Sequence, residues 1–418
     1  MRSAVALLVV ASVLPAAAEN WPAFRGPTGQ GHSSETGLPL KWGATENVRW
    51  KAEVPGEAWS SPIVWGDRVF VTTATEGGTS CRVLAFDRKT GERLWDTEVF
   101  TQPTKRKEQR NTYATPTPCT DGERVYAAFG GGGVAAVDFD GKVAWTNLDF
   151  PFYSRHGLGS SPVLFEGKLI MAHDGSKEAT GDEEKVGWQK PWDKSFLLAL
   201  DTETGEVAWK TGRGLSRIGH VSPIVWADDT GRPVVLSGAG DVVQGFDART
   251  GELLFTHRNE GEGVAPSYAT FDGLVVTAAG WGGRESTKAF KLGGAGDLGE
   301  TAIAWEEGKG MPHLSSYIVL DGRVYWVTDD GVAWCVDAAT GETVWRERLG
   351  GNHSASPVAA EGRIYFTSDE GKTTVIEAGP AFEVLAVNEL GERVQATPAI
   401  SQGNIFIRTA NRLYCIGE

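Results

Sequence analysis

The chain has 418 residues, a formal net charge of −14, 54 Gly and 16 Trp. Phosphate binding needs a basic surface, so this acidic balance argues against a general nucleic-acid role; beyond that it speaks only to solubility. The four cysteines are far apart in sequence, which excludes a CxxC metal or redox centre.

Met1-Arg2 precede an apolar run from Ala4 to Leu14, followed by Pro15-Ala16-Ala17-Ala18. A basic start, an apolar stretch of about 7–15 residues and a small-x-small ending describe a secretory signal peptide. Cleavage is expected after Ala18, which makes the protein exported, periplasmic or extracellular. The apolar run is short for a membrane span, and no later run is long and apolar enough for one, so no transmembrane span is expected after cleavage. Residues 19–46 read as an N-terminal extension packing on the domain formed by 47–418.

Two phrases then recur along the chain. The first is a small-residue stretch, often ending in Pro, followed by a turn and a β-rich run: Ser60-Ser61-Pro62, Thr117-Pro118, Ser160-Ser161-Pro162, Ser222-Pro223, Ala355-Ser356-Pro357 and Thr397-Pro398, with Tyr268 and Tyr317 in the Pro place of two further copies. Each reads as a short inner strand, a turn and a second strand. The second is a hairpin phrase: Asp87 to Gly91 then Trp95, Asp201 to Gly205 then Trp209, Asp247 to Gly251 then Phe255, Asp337 to Gly341 then Trp345, and a shortened Asp138 to Gly141 then Trp145. Asp starts a tight turn by accepting backbone N–H bonds, and Gly supplies the left-handed conformation that closes the hairpin. The ring that follows lies on the outermost strand, where it can wedge against a neighbour. The phrase is degenerate in copy five (Lys291, Trp305) and copy seven (Glu377, Leu385).

Self-similarity at a spacing of about 40–60 residues marks a β-propeller. The first phrase gives eight copies, beginning near Ser60, Thr115, Gly159, His220, Ala265, Leu314, Ser354 and Gln395. The eighth ends after its third strand, and Asn47-Val48-Arg49-Trp50-Lys51 has the character to supply its fourth. The expectation is an all-β, eight-bladed propeller of four-stranded antiparallel blades, closed by the N-terminal strand so that no sheet edge stays open at the junction; seven blades is the alternative. Cys335 and Cys415 hold equivalent third-strand positions and read as buried small residues, whereas Cys81 and Cys119 lie in neighbouring copies and could pair.

Loops before the inner strands and between strands two and three open on one face. Trp59, Tyr113, Arg155, His156, His173, Asp174, Arg217, His220, Trp281, Arg284, His313 and His353 map there and are the candidate ligand- or partner-binding residues. Two long insertions share the face, one basic (Lys105 to Arg110) and one acidic and aromatic (Glu178 to Lys194, with Trp188 and Trp192). Function tends to reside in irregular loops on a rigid scaffold. A metal site from His156, His173, His220 or His353 lacks any local ligand spacing. No GxSxG or HExxH occurs, and Gly130 to Gly133 lacks the helix and Lys-Ser/Thr of a phosphate loop; no catalytic or metal residue is assigned.

The Ala-x-Asp-x-x-Thr-Gly-x-x-x-Trp phrase resembles the repeat of pyrroloquinoline quinone (PQQ) dehydrogenase propellers and of BamB-like propellers. The openings Trp21-Pro22-Ala23-Phe24-Arg25-Gly26-Pro27 and Leu38-Pro39-Leu40-Lys41-Trp42, with Thr112-Tyr113-Ala114-Thr115-Pro116, resemble exported PQQ-like proteins of unassigned activity. The resemblance implies a propeller, but fold does not fix function. Many of the dehydrogenases stack the quinone on a vicinal disulfide and hold calcium beside a catalytic Asp; this chain has no Cys-Cys pair and no segment matching that site, so neither PQQ nor calcium is expected. The BamB-like members imply a non-catalytic scaffold that binds a protein or peptide partner in the cell envelope through the loop face. The alternatives are a small-ligand or carbohydrate binder, with Trp rings as stacking platforms, and a quinoprotein-type dehydrogenase.

Overall fold

The computed structural model describes residues 19–105, 107–175, 190–261, 265–279 and 285–418. The signal-peptide segment, Trp281, Arg284 and most of the acidic insertion, including Trp188, lie outside these residues. The described chain forms eight antiparallel sheets, blades 1 to 8, spanning 63–101, 119–147, 163–212, 224–258, 269–307, 318–348, 358–389 and 399–416. Blade 8 takes its outermost strand from Val48–Glu53, antiparallel to Arg412–Ile416. Eight blades and N-terminal closure are thus both present. Blade 4 carries an unforeseen fifth strand: Gly296–Gly299, from the insertion in copy five, pairs parallel to its outer edge.

The hairpin phrase locks several blades to their neighbours. Asp87 Oδ1 accepts the amides of Lys89 and Thr90 at 2.9 and 2.8 Å, and Gly91 turns back at φ +74° to bond the Asp87 carbonyl. The same turn recurs at Asp201, Asp247 and Asp337. The outer-strand ring of the preceding blade lies over this turn. Trp50, Trp95, Trp145 and Trp305 donate their indole N–H to the carbonyls of Arg88, Phe139, Thr202 and Ala338 at 2.8–2.9 Å. A Cβ on Gly205 would come within 2.5 Å of the Trp145 ring. Trp50 belongs to the N-terminal strand, so closure supplies the lock between blades 8 and 1 as well as a sheet edge.

Opposite each ring the third strand carries a small residue: Ala85, Ala136, Ala199, Gly245, Ala289, Cys335 and Cys415. This explains Cys335 and Cys415 as packing residues. Cys81 and Cys119 are both free thiols in different layers: Cys81, on blade 1, packs between blades 1 and 2, and Cys119, on blade 2, packs between blades 2 and 3. That placement overturns the pairing left open by their sequence positions.

Residues 19–43 cross the face where the strand one–two turns lie. Trp21 pairs with Val64 of blade 1, and Pro22 accepts the Thr120 amide of blade 2. Arg25 reaches the Tyr268 and Tyr317 carbonyls of blades 5 and 6, Gly31 and Ser33 bond Ala359 of blade 7, and the Glu19 carbonyl accepts from Ser401 of blade 8. The chain then runs outward along blade 7, where Trp42 N–H donates to Asn388, and turns into the closing strand.

Trp145→Ala removes a buried ring and its hydrogen bond and should cost about 3–5 kcal/mol. Gly205→Ala, which forces a Cβ against that ring at positive φ, should also destabilise. Urea unfolding checks both; stability unchanged in either variant would mean that the lock is not energetically significant.

Candidate functional site

The eight inner strands converge around a cavity of about 640 Å³ on the axis. Its wall contains a ring of hydroxyl residues from equivalent positions of the eight blades: Ser61, Thr117, Ser161, Ser222, Ser267, Ser316, Ser356 and Thr397. Each of the first seven donates its backbone N–H to the side-chain oxygen of the next, at 2.9–3.1 Å. These are the residues immediately before Pro or Tyr in the recurring inner-strand phrase. Phe24 also lines the cavity. It is carried on the segment that crosses the strand one–two face, so the channel is blind at that end and opens on the loop face.

Arg25 fixes this floor. It is fully buried, with its backbone in the left-handed region at φ +61°, a conformation that costs a non-glycine residue about 1–3 kcal/mol. Its guanidinium donates to the carbonyls of Tyr268, Gln30 and Tyr317. Arg408, also fully buried, donates to Ser60 Oγ at 2.8 Å and to the Thr72 carbonyl at 2.5 Å, behind the wall between blades 8 and 1. Among the described residues neither has a carboxylate partner. Burial lowers both guanidinium pKa values to about 9, which leaves them charged at neutral pH.

At the mouth the structure brings together Trp59, Arg155, His156, His220 and His313 of the sequence-derived candidates, with Glu108, Arg110, Asn111, Asp329 and Gln395. Arg155 pairs with Glu108 at 3.2 Å, and Asn111 Nδ2 donates to the His156 carbonyl, which ties the basic insertion over the loop of blade 3. The Arg393 guanidinium covers one face of Trp59 at 5.0 Å. His156 and His220 stand edge to face with ring centroids 6.1 Å apart. Desolvation lowers both, His220 to about 4, and Nε2 of His220 is buried without a partner. His313 behaves oppositely: Asp329 and Glu285, each 3.4 Å away, raise its pKa, with the Asp329 hydrogen bond the larger cause.

The other candidates turn away from the cavity. His173 is stacked on Phe196 at 4.5 Å and buried, which lowers its pKa to about 4. Asp174 pairs with the buried Arg213 at 2.7 Å, and its remaining desolvation raises its pKa. His353 is buried with Nε2 3.2 Å from the Gly350 carbonyl. Tyr113 supports the basic insertion, donating to the Lys105 carbonyl at 2.5 Å under Lys107. Arg217 sits outside the lining, its backbone N–H bonded to Asp241. The hydroxyl belt and the two buried arginines carry no sequence assignment. The belt had a readable signal, a Ser or Thr before Pro or Tyr in every copy; the arginines had none, because all their partners but Gln30 lie hundreds of residues away.

All four thiols are buried within the blades and outside the lining, and among the described residues no three His, Cys, Asp or Glu side chains are grouped to hold a metal ion. Among the same residues no helix is long and apolar enough to cross a membrane.

Comparison with known proteins accords with this fold. The profile of a family described as outer membrane protein assembly factor BamB matches residues 33–196 and 297–381, more than half of the chain. BamB of Burkholderia pseudomallei is 26% identical over 264 residues, covering 56% of this chain and 64% of that protein. A quinoprotein ethanol dehydrogenase of Pseudomonas putida is 27% identical over 48% of this chain and 33% of its own length, and a polyvinylalcohol dehydrogenase of Pseudomonas sp is 28% identical over 39% and 24%. The chain thus spans under two thirds of each of these relatives. Among solved structures, BamB from Moraxella catarrhalis aligns with a TM-score of 0.58 at 12% identity, over 88% of this chain and 98% of that one. A europium-containing methanol dehydrogenase aligns at 0.54 and 11%, over 95% and 98%. At these identities the structural likeness speaks to the fold alone.

A raised histidine pKa stabilises the folded state below the ordinary value and loses that contribution as pH rises through the folded value. The His313 contacts with Asp329 and Glu285 should therefore be strongest in mild acid. NMR titration should place the His313 midpoint above 6.5, and Asp329→Asn should bring it down; a midpoint unmoved by that substitution would refute the pairing.

Proposed function

The chain belongs to the BamB outer-membrane assembly factor family, and from that premise we propose that it is an exported, non-catalytic propeller that holds an extended segment of a protein partner at the loop face. One observation carries this reading: the axial channel is sealed at one end by the chain's own residues and open at the other through a mouth lined by Trp59, His156, His313, Arg110 and Arg155. A partner can approach only from the loops, and a segment seated there meets aromatic, cationic and hydrogen-bonding groups on a rigid wall. Such a mixture suits recognition, in which apolar surface supplies affinity and a few polar groups supply orientation. The BamB-like relatives support a partner in the cell envelope, and the amino-terminal segment 1–18 supports export.

A second reading, a small-ligand binder, is favoured by the cavity volume, which falls in the range of about 300–1,000 Å³ typical of such sites. Trp59 is its stacking platform, with one face already taken by Arg393.

Photo-crosslinking in the cell separates the mouth from the rim. A crosslinking residue at 59, 155 or 314 should capture an envelope protein. The same residue at the exposed outer-strand positions Leu94 and Val344 should not. Adducts formed only from the outer strands, or from neither face, would overturn the proposal.

A further inference from the structure

The belt of hydroxyls is more than a seam between blades. A serine or threonine oxygen that accepts an N–H keeps its own proton to donate. Ser316 and Ser356 use one such proton between themselves at 2.9 Å. Among the described residues the hydroxyl protons of Ser61, Thr117, Ser161, Ser222 and Ser267 have no acceptor in the protein, although all five residues line the cavity. The blind end of the channel is therefore ringed by hydrogen-bond donors.

The field behind this ring is positive. Arg25 bonds the carbonyls of Tyr268 and Tyr317, the residues directly after Ser267 and Ser316. Arg408 bonds Ser60, the residue directly before Ser61. Each guanidinium is thus one residue from the belt, on a different side of the lumen, fully buried and without a carboxylate partner among the described residues. Arg25 keeps Nε, and Arg408 keeps Nε and one terminal nitrogen, without a protein acceptor. The acidic residues of the lining are both at the mouth and engaged: Glu108 with Arg155, and Asp329 with His313. His220, also in the lining, presents the unpartnered Nε2 described above.

We propose that the inner end of the channel is a subsite for a carboxylate, bound by the hydroxyl belt in the field of Arg25 and Arg408. The class follows from the donors. A phosphate dianion calls for direct, often bidentate, cationic contacts, and here both guanidinium groups stand behind the wall. A singly charged carboxylate is matched by neutral donors with positive charge at one remove. Because the floor is closed, what reaches the belt is an end: a small organic acid, or the C-terminal carboxylate of a peptide. The peptide form rests on the proposed holding of a partner segment, whereas the small-acid form does not.

Calorimetry on the full mature protein tests this with defined probes: acetate, lactate, and acetyl-trialanine with a free or an amidated C-terminus. The free tripeptide should bind at least tenfold more tightly than its amide, and acetate should compete with it. Leu314→Trp, which adds bulk to the cavity lining, should abolish binding at unchanged melting temperature. Ser222→Ala should weaken it and Ser222→Thr should restore it. Binding of the free acids without the tripeptide supports the subsite and counts against the partner segment. Equal binding of free and amidated tripeptide, lost in Leu314→Trp, overturns the carboxylate assignment while leaving the channel as the binding site. No binding of any probe at millimolar concentration overturns the proposal.

Discussion

The structure depends on how inner-strand amides are satisfied at the axis. Eight strands converging on a point cannot pair with one another as a sheet, yet a buried amide without an acceptor costs about 1–3 kcal/mol. The solution is local and repeated: a hydroxyl from the next blade accepts each of seven inner amides. Only a short side chain can do this without filling the lumen, so Ser or Thr stands at every position of the belt. The same choice sets the chemistry of the cavity, since each oxygen that serves as an acceptor still carries a proton.

At the circumference the constraint is reversed. Blades fan apart with distance from the axis, and the gaps must be filled by bulk. Indole rings do this, each lying over the turn of the next blade and facing a small residue on its own sheet. Where the ring is Phe255, the residue opposite is Gly245, whose Cβ would lie 2.3 Å from it. Small polar groups at the centre and large rings outside are two answers to one geometric problem. The N-terminal segment completes both. It brings Trp50 to the last gap, and because it starts at the inner strands before reaching the rim, it also closes the floor of the channel with Phe24 and Arg25.

What was legible in the sequence follows from the range of the interactions. The Asp-to-Gly turns and the small-residue inner-strand phrase are local: the first marked the repeat, the second gave the blade count, and the missing fourth strand of copy eight pointed to 47–51 as the closing strand. The mouth was legible in outline, because loop order alone puts Trp59, His156, His220 and His313 on one face. It did not distinguish side chains that point to the axis from those that pack back, so His173, Asp174 and His353 could not be separated from them: their partners Phe196, Arg213 and Gly350 are set by the packing of the strands. The belt was written in every copy, but its residues looked like strand starts until the ring placed each beside the next. The fifth strand of blade 4 was illegible because Gly296–Gly299 has no strand-forming side chains and pairs with a blade other than its own copy.

The placement of charge gives the channel its character. A chain of net charge −14 would be expected to answer each buried cation with a carboxylate, as Arg213 is answered by Asp174. Burying an unpaired charge costs several kcal/mol, so Arg25 and Arg408 must be stabilised otherwise. Backbone carbonyls and one serine oxygen do so in part, leaving Nε of each without a partner. The dipoles of those carbonyls point at the guanidinium groups but do not cancel their charge. The potential they leave extends to the neighbouring belt, through packed protein where screening by water is weak. Two of the three histidines in the lining, His156 and His220, are disfavoured as cations by desolvation. The third, His313, is at the mouth, where Asp329 and Glu285 raise its pKa. The channel is thus polarised along its axis, balanced at the mouth and positive at the floor, and its ring of hydroxyl donors lies at the positive end.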